Sequence, residues 1–184
     1  MDPNIDLCRD LRYCNFAGMD LIEATLSGAD MTRSNLTCAD LFGANLFRSN
    51  LTHANLTHAD LSYSNLNYAN LTDADLSGAN LTEATLTGAN LNGANLTSVN
   101  LKGFDLTGAN LRGINLSEAD LSGVNLKGLD LTGANLRGTN LTDADLSGAS
   151  LRNSVMIRAD LTGANLLNAD LSGAFPLGLT VWTP

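Results

Sequence analysis

Ala79-Asn80-Leu81-Thr82-Glu83 runs directly into Ala84-Thr85-Leu86-Thr87-Gly88 and then into Ala89-Asn90-Leu91-Asn92-Gly93. The same five-residue phrase recurs in both directions. Every fifth position from 11 to 171 is large and apolar, with no insertion or deletion. It is Leu in 30 of 33 repeats, and Phe16, Met31 and Met156 fill the rest. A fixed period held this long means one small backbone unit stacked on itself many times. With Leu as position i, i−2 is Ala in 20 repeats and Ser in 4, i−1 is Asp or Asn in 29, and i+2 is Gly in 16. On an α-helix a step of five advances about 140°, which would spiral the leucines over the whole surface. On a flat strand an odd step turns every second Leu to the wrong side. A chain that turns a corner every five residues keeps every Leu inside. Gly at i+2 suits such a corner because it accepts a positive φ.

These A(D/N)Lxx repeats, spread over residues 11–173, resemble the pentapeptide-repeat family common in cyanobacteria and other bacteria. The resemblance implies an all-β, right-handed quadrilateral β-helix with four pentapeptides per coil. In that fold i and i−2 point inward, while i−1, i+1 and i+2 point out. Thirty-three repeats then make about eight coils, roughly 40 Å tall at the inter-strand spacing. The number of sides and the handedness come from the family. The buried Leu and the corner per repeat come from the residues.

Both ends of such a stack would expose leucines unless covered. Residues 1–10 are expected to form an N-terminal cap, with Asp2-Pro3 opening a short helical turn. Pro176 breaks the register, and residues 174–184 are expected to be an apolar cap or a dimer contact through Phe175, Leu177, Leu179, Val181 and Trp182. A monomer or a C-terminally mediated homodimer follows. No apolar run approaches a membrane span, and the N-terminus lacks the basic and apolar regions of a signal peptide. Three cysteines (Cys8, Cys14, Cys38) argue against a disulfide framework, which makes a reducing cytoplasm the expected setting. Val99, Phe104, Ile114, Val124 and Leu129 replace the small residue at i−2 within two neighbouring coils. Side chains of that size in a narrow core should push the wall outward or trade space with neighbours.

Unrolled at twenty residues per coil, the outside is uneven. The side of Leu21, Leu41 and Leu61 carries Asp20, Asp40, Asp60, Asp120, Asp160, Glu23, Glu83 and Asp143 against the single base Lys102. Acids and bases balance on the other three sides, so nearly the whole net charge of −9 belongs to one of them. Ile22, Phe42 and Tyr63 fall on that side in successive coils, with Phe47 and Tyr68 around the adjoining corner. Five contiguous apolar residues among Thr, Ser and Gly indicate a contact surface. The competing explanation is lateral stacking that stabilises the coils without a partner. Cys38 stacks below His58, and His53 below Asp73. That set resembles no zinc-binding spacing, and a His53–Asp73 hydrogen bond is the simpler expectation. No nucleophile–base set, phosphate loop or catalytic carboxylate pair stands out from the repeat, so neither an enzyme nor a bound cofactor or metal is expected.

The sequence thus points to a non-catalytic protein-binding or scaffold module. Its expected contact patch is Ile22, Phe42, Phe47, Tyr63, Tyr68, Asp20, Asp40 and Asp60, facing a protein partner with a basic surface. Direct nucleic-acid binding is disfavoured by the acidic balance, and membrane binding is not expected. An alternative follows from the family's quinolone-resistance members, which mimic duplex DNA and bind type II topoisomerases. A metal-binding surface site at Cys38 and His58 is a weaker one.

Overall fold

The computed structural model describes residues 10–175. Of the expected caps, residues 1–10 and 174–184, all but positions 10, 174 and 175 lie outside the described residues, as does most of the segment expected to make a dimer contact. Within them the chain is an all-β, right-handed, four-sided coil, with no helix. Each side of a coil is three residues long (i−2, i−1 and i), and each corner is the pair i+1 and i+2. Every β-bridge is parallel and joins i−1 residues twenty positions apart, such as Asp40 with Asp60 and Asn45 with Asn65. We name the four sides from one coil: the Asp40, Asn45, Asn50 and Asn55 faces.

One hydrogen-bond set repeats along the tower. The Leu41 N–H donates to Asp60 O at 2.7 Å, the Asp60 N–H to Ala39 O at 2.9 Å, and the Gly43 N–H to Ser62 O at 2.9 Å. The Ala44 N–H closes the corner on Leu41 O at 2.9 Å. The ladder residue adds a side-chain brace: Asn45 Oδ1 accepts the Phe47 N–H at 3.1 Å and Asp40 Oδ1 the Phe42 N–H at 3.1 Å. Asx turns of this kind explain why i−1 is Asn or Asp although both are poor strand formers. Position i+2 is left-handed throughout: Gly88 has φ +67°, and where Gly is absent the φ stays positive, as at Tyr63 (+59°) and Tyr68 (+58°). Such a conformation costs a residue with a Cβ about 1–2 kcal/mol.

The interior is a single column of Leu and Ala, most of them fully buried. Ser34, Ser49, Ser64 and Ser154 occupy i−2 positions in it, and their hydroxyls have no hydrogen-bond partner among the described residues. By contrast the buried Thr139 donates to Leu116 O at 2.8 Å. Phe175 continues the ladder by pairing with Val155, and its side chain is 58% exposed. It therefore points outward like other i−1 residues, and the regular register extends past position 173.

The ladder opens where the oversized i−2 residues cluster. Bridges are absent between Asn80 and Asn100, Thr85 and Asp105, Asp105 and Asn125, and Asn110 and Asp130, while the Asn55 face stays paired throughout. Around this seam the amides of Leu86, Leu106, Gly108 and Leu111 donate to no backbone carbonyl. Val99, Ile114 and Val124 are buried, but Phe104 and Leu129 remain half-exposed. The core thus takes in the β-branched residues Val99, Ile114 and Val124. A ring at 104 on top of Val124 exceeds the space there, so the Asp105 segment moves off both neighbours.

Phe104→Ala should let the seam close. Hydrogen exchange at Leu86 and Leu106 should slow, and thermal stability should hold or rise. Leu91→Ala, in the regular core, should instead lose about 2–5 kcal/mol. If Phe104→Ala costs as much as Leu91→Ala, the ring belongs to the core and the seam has another cause. Ser64→Ala should raise stability by about 1 kcal/mol, because it removes an unpaired buried hydroxyl; denaturant titration reads this directly.

Candidate functional site

The exposed aromatics fall on two corners, and the two corners border the same face. Phe42 and Tyr63 belong to the turn pairs 42–43 and 62–63, and Phe47 and Tyr68 to the pairs 47–48 and 67–68. Between them lies the Asn45 face, whose outward ladder here is Thr25, Asn45, Asn65 and Thr85. Three extended residues separate the corners, so Gly43 and Phe47 are four steps apart, a span of at most about 14 Å. Ile22, Phe42, Tyr63 and Tyr68 are exposed (46, 40, 59 and 55%), and Phe47 is half-buried. The sequence reading placed Ile22, Phe42 and Tyr63 on the acidic side. In the structure these corner residues stand on the edge that the acidic Asp40 face shares with the neutral Asn45 face.

The two aromatic pairs are built alike but finished differently. Phe42 and Tyr63 have ring centroids 5.3 Å apart and planes tilted by 51°. Phe47 and Tyr68 are 5.8 Å apart and nearly perpendicular, at 82°. Arg48 lays its guanidinium over the second pair, 5.0 Å from the Phe47 centroid and 5.9 Å from that of Tyr68. Tyr68 has room because Gly88 stands one coil above: a Cβ there would come within 2.6 Å of the ring. Beside the first pair the corner column reads Glu23, Gly43, Tyr63, Glu83, and the Glu23 side chain leans over Gly43, with Cγ 3.4 Å from where its Cβ would be.

Asp20, Asp40 and Asp60 stack as bridge partners on the Asp40 face. Each is also an Asx acceptor: Asp20 for the Ile22 N–H, Asp40 for that of Phe42, and Asp60 for the N–H and hydroxyl of Ser62. None of the three forms an ion pair among the described residues. Every ion pair there belongs to the Asn50 face and its following corner: Arg12 with Asp10 and Asp30, His53 with Asp73 at 3.8 Å, Arg112 with Asp130, and Arg152 with Asp170. The acidic face is thus acidic in sequence and also unneutralised in space.

The repeats that build this surface match the family model for pentapeptide repeats, in eight copies over residues 10–37, 39–78, 64–103, 74–113, 105–138 and 139–175. The chain belongs to the pentapeptide-repeat family. Among solved structures it is similar to HetL, a pentapeptide-repeat protein involved in heterocyst differentiation regulation in the cyanobacterium Nostoc sp. strain PCC 7120. The identity is 35%, over 90% of this chain and 80% of that one, with a TM-score of 0.47. A trypsin-treated variant of QnrB1, a plasmid-mediated fluoroquinolone resistance protein, superposes with a TM-score of 0.56 at 18% identity, covering 94% of this chain and 92% of that one. A pentapeptide-repeat protein of the Arabidopsis thaliana thylakoid lumen matches at 31% identity over 61% of this chain and 71% of that one, with a TM-score of 0.34. No curated protein matches the sequence.

Other features of this pentapeptide-repeat tower separate structural residues from candidate functional ones. Cys38 is exposed and Cys14 half-buried. No three His, Cys, Asp or Glu side chains among the described residues converge into a group that could hold a metal ion, so Cys38, His58, His53 and Asp73 remain a surface cluster. Tyr13 (66% exposed) and Leu167 (67%) are exposed apolar residues that the sequence reading passed over. Both stand at corner positions, which was the available signal. On the Asn50 face, Asn50, Asn70, Asn90 and Asn110 donate from Nδ2 to the residue below at 3.0–3.4 Å, forming a continuous amide ladder. Asn45 and Asn65 make no such bond among the described residues.

Several ladder carboxylates titrate below the ordinary aspartate value. At Asp105, Asp130, Asp160 and Asp170 the cause is first the hydroxyl, then the N–H, of the residue two positions on; at Asp145 the Ser147 N–H comes first. Asp10 is held down to about 2, chiefly by the Arg12 side chain. A folded pKa below the unfolded one means that the unfolded chain binds protons first as pH falls. The stabilisation is then complete above the unfolded value and is lost as pH drops through the folded one. The melting temperature should therefore be flat from about pH 7 to 5 and fall steeply below about 4. Asp160→Asn should remove part of that slope, since an amide oxygen accepts the same Thr162 bonds without titrating. A melting curve series that slopes evenly across neutral pH would contradict this.

Proposed function

We propose that this chain is a non-catalytic scaffold that presents rigid flat faces to a protein partner in a reducing cytoplasm. The contact surface is the pair of aromatic corners Ile22, Phe42, Tyr63 and Phe47, Tyr68, together with the adjoining acidic ladder Asp20, Asp40 and Asp60. One observation carries this reading: large aromatic side chains are exposed as a contiguous group at neighbouring corners. The positive φ of Tyr63 and Tyr68 is common to the whole i+2 column, so the size and contiguity of the exposed rings mark the surface. Lateral stacking accounts for part of it, at about 0.5–1.5 kcal/mol per aromatic pair. It leaves Tyr63 and Tyr68 more than half exposed. Aromatic anchors beside charge of one sign combine contact area with steering of a basic partner.

A second reading, mimicry of duplex DNA toward a type II topoisomerase, has the unpaired acidic face in its favour. Against it, the ladder columns are mostly Asn, which carries no charge. A gyrase supercoiling assay with the purified protein separates the two: inhibition or protection that survives loss of Phe42 favours mimicry.

The docking reading is tested with the partner recovered from the native host. Phe42→Ala with Tyr63→Ala should weaken its binding about tenfold or more, mainly through faster dissociation. Asp40→Asn with Asp60→Asn should mainly slow association and reduce the salt dependence. Neither pair should unfold the tower, because all four side chains point away from the Leu column. If both double variants bind as the wild type does, the surface assignment is wrong.

A further inference from the structure

The two aromatic corners differ in one respect that chemistry can read. Phe47–Tyr68 carries its own cation, Arg48, at 5.0 and 5.9 Å from the two centroids. Phe42–Tyr63 has a comparable ring separation, with planes inclined at 51°, but among the described residues no cation lies over it. Its surroundings are of the opposite sign. Asp40 is bonded to the Phe42 N–H, Asp60 to the residue preceding Tyr63, and in the corner column Glu83 stands one coil above Tyr63 and Glu23 two coils below it. None of these four carboxylates is in an ion pair among the described residues. The single base in the same columns, Lys102, stands three coils above Phe42, roughly 14 Å away along the tower.

A ring face attracts a cation through its quadrupole, and nearby carboxylates add a Coulomb term of the same direction. We propose that the Phe42–Tyr63 corner is a receptor for an arginine side chain of the protein partner. The guanidinium would lie over the exposed ring faces as Arg48 lies over Phe47 and Tyr68, with Asp40, Asp60 and Glu83 around it. Arginine fits better than lysine, because a planar, weakly hydrated guanidinium stacks on a ring and can still donate to carboxylates at its edge. This rests on the protein-docking reading and names what that surface recognises.

The probe is a hexa-arginine peptide titrated into the full-length protein, followed by NMR at the ring protons of Phe42, Tyr63, Phe47 and Tyr68. Hexa-citrulline, the neutral counterpart, is the control. Binding should shift Phe42 and Tyr63 strongly and Tyr68 weakly, and hexa-citrulline should shift neither pair. Phe42→Leu with Tyr63→Leu keeps apolar side chains but loses the ring faces, and should weaken hexa-arginine binding about 3- to 30-fold. Arg48→Ala should open the second corner, so that Tyr68 now responds to the peptide. Unchanged affinity in the double leucine variant would show that the acidic face attracts arginine without the rings, and would overturn the proposal. So would equal shifts at Tyr63 and Tyr68 in the wild type. If the peptide ignores the corner while a native partner still depends on Phe42 and Tyr63, arginine recognition fails and the docking surface stands. A partner that ignores both residues while the peptide binds them removes the docking reading alone.

Discussion

Everything in this molecule depends on the inter-coil hydrogen bond. Each ladder residue bonds to the two residues that flank its partner twenty positions away, at 2.7 to 3.0 Å across most of the tower. That fixes the rise per coil and, with it, the volume available to each layer of the core. One Leu and one small residue per side fill the layer. Corners can form only where position i+2 accepts a positive φ, and the Asn or Asp two residues back in the same unit pins the corner in place. Backbone, corner and core are thus set by one spacing.

The seam around Asp105 shows how firm this constraint is. Small-to-large changes in most cores are absorbed by repacking. Here the wall is a single strand layer held at a fixed rise, so excess volume at Phe104 and Leu129 is released by breaking ladder bonds above and below. The tower keeps its course because the Asn55 face stays paired through the same coils. The four buried serines show the other side of the constraint: their volume suits the i−2 position although their hydroxyls find no partner.

Function is separated from structure by the same geometry. Residues at i and i−2 belong to the core, and those at i−1 to the ladder and its Asx turns. This includes Asp20, Asp40 and Asp60, which serve the backbone whatever else they do. Corner side chains carry the least structural duty, although hydroxyls such as those of Ser62 and Thr32 brace the ladder. The candidate surface accordingly consists of corner residues, and its acidic part acts as a field supplied by the ladder beside it.

The sequence by itself determined the period, the buried leucines, the outward Asp and Asn, and the positive-φ corner, because each follows from a five-residue repeat that must keep one side dry. It also showed, once four repeats per coil were taken from the family resemblance, which residues share a column: Asp20 with Asp40 and Asp60, Phe104 with Val124. It did not determine how columns relate across a corner. Phe42 and Tyr63 share an edge with the acidic ladder in the sequence, and the turn makes that edge the border with the neutral Asn45 face as well. Nor could it show that Arg48 folds over Phe47 and Tyr68 while Phe42 and Tyr63 stay uncovered, or that Phe104 opens the ladder instead of filling the core. Those outcomes turn on the direction a side chain takes from a left-handed corner and on the space left by the coil above, such as the bare Gly88 beside Tyr68. A periodic sequence sets the columns; only three-dimensional packing decides what each side chain touches once it leaves its own.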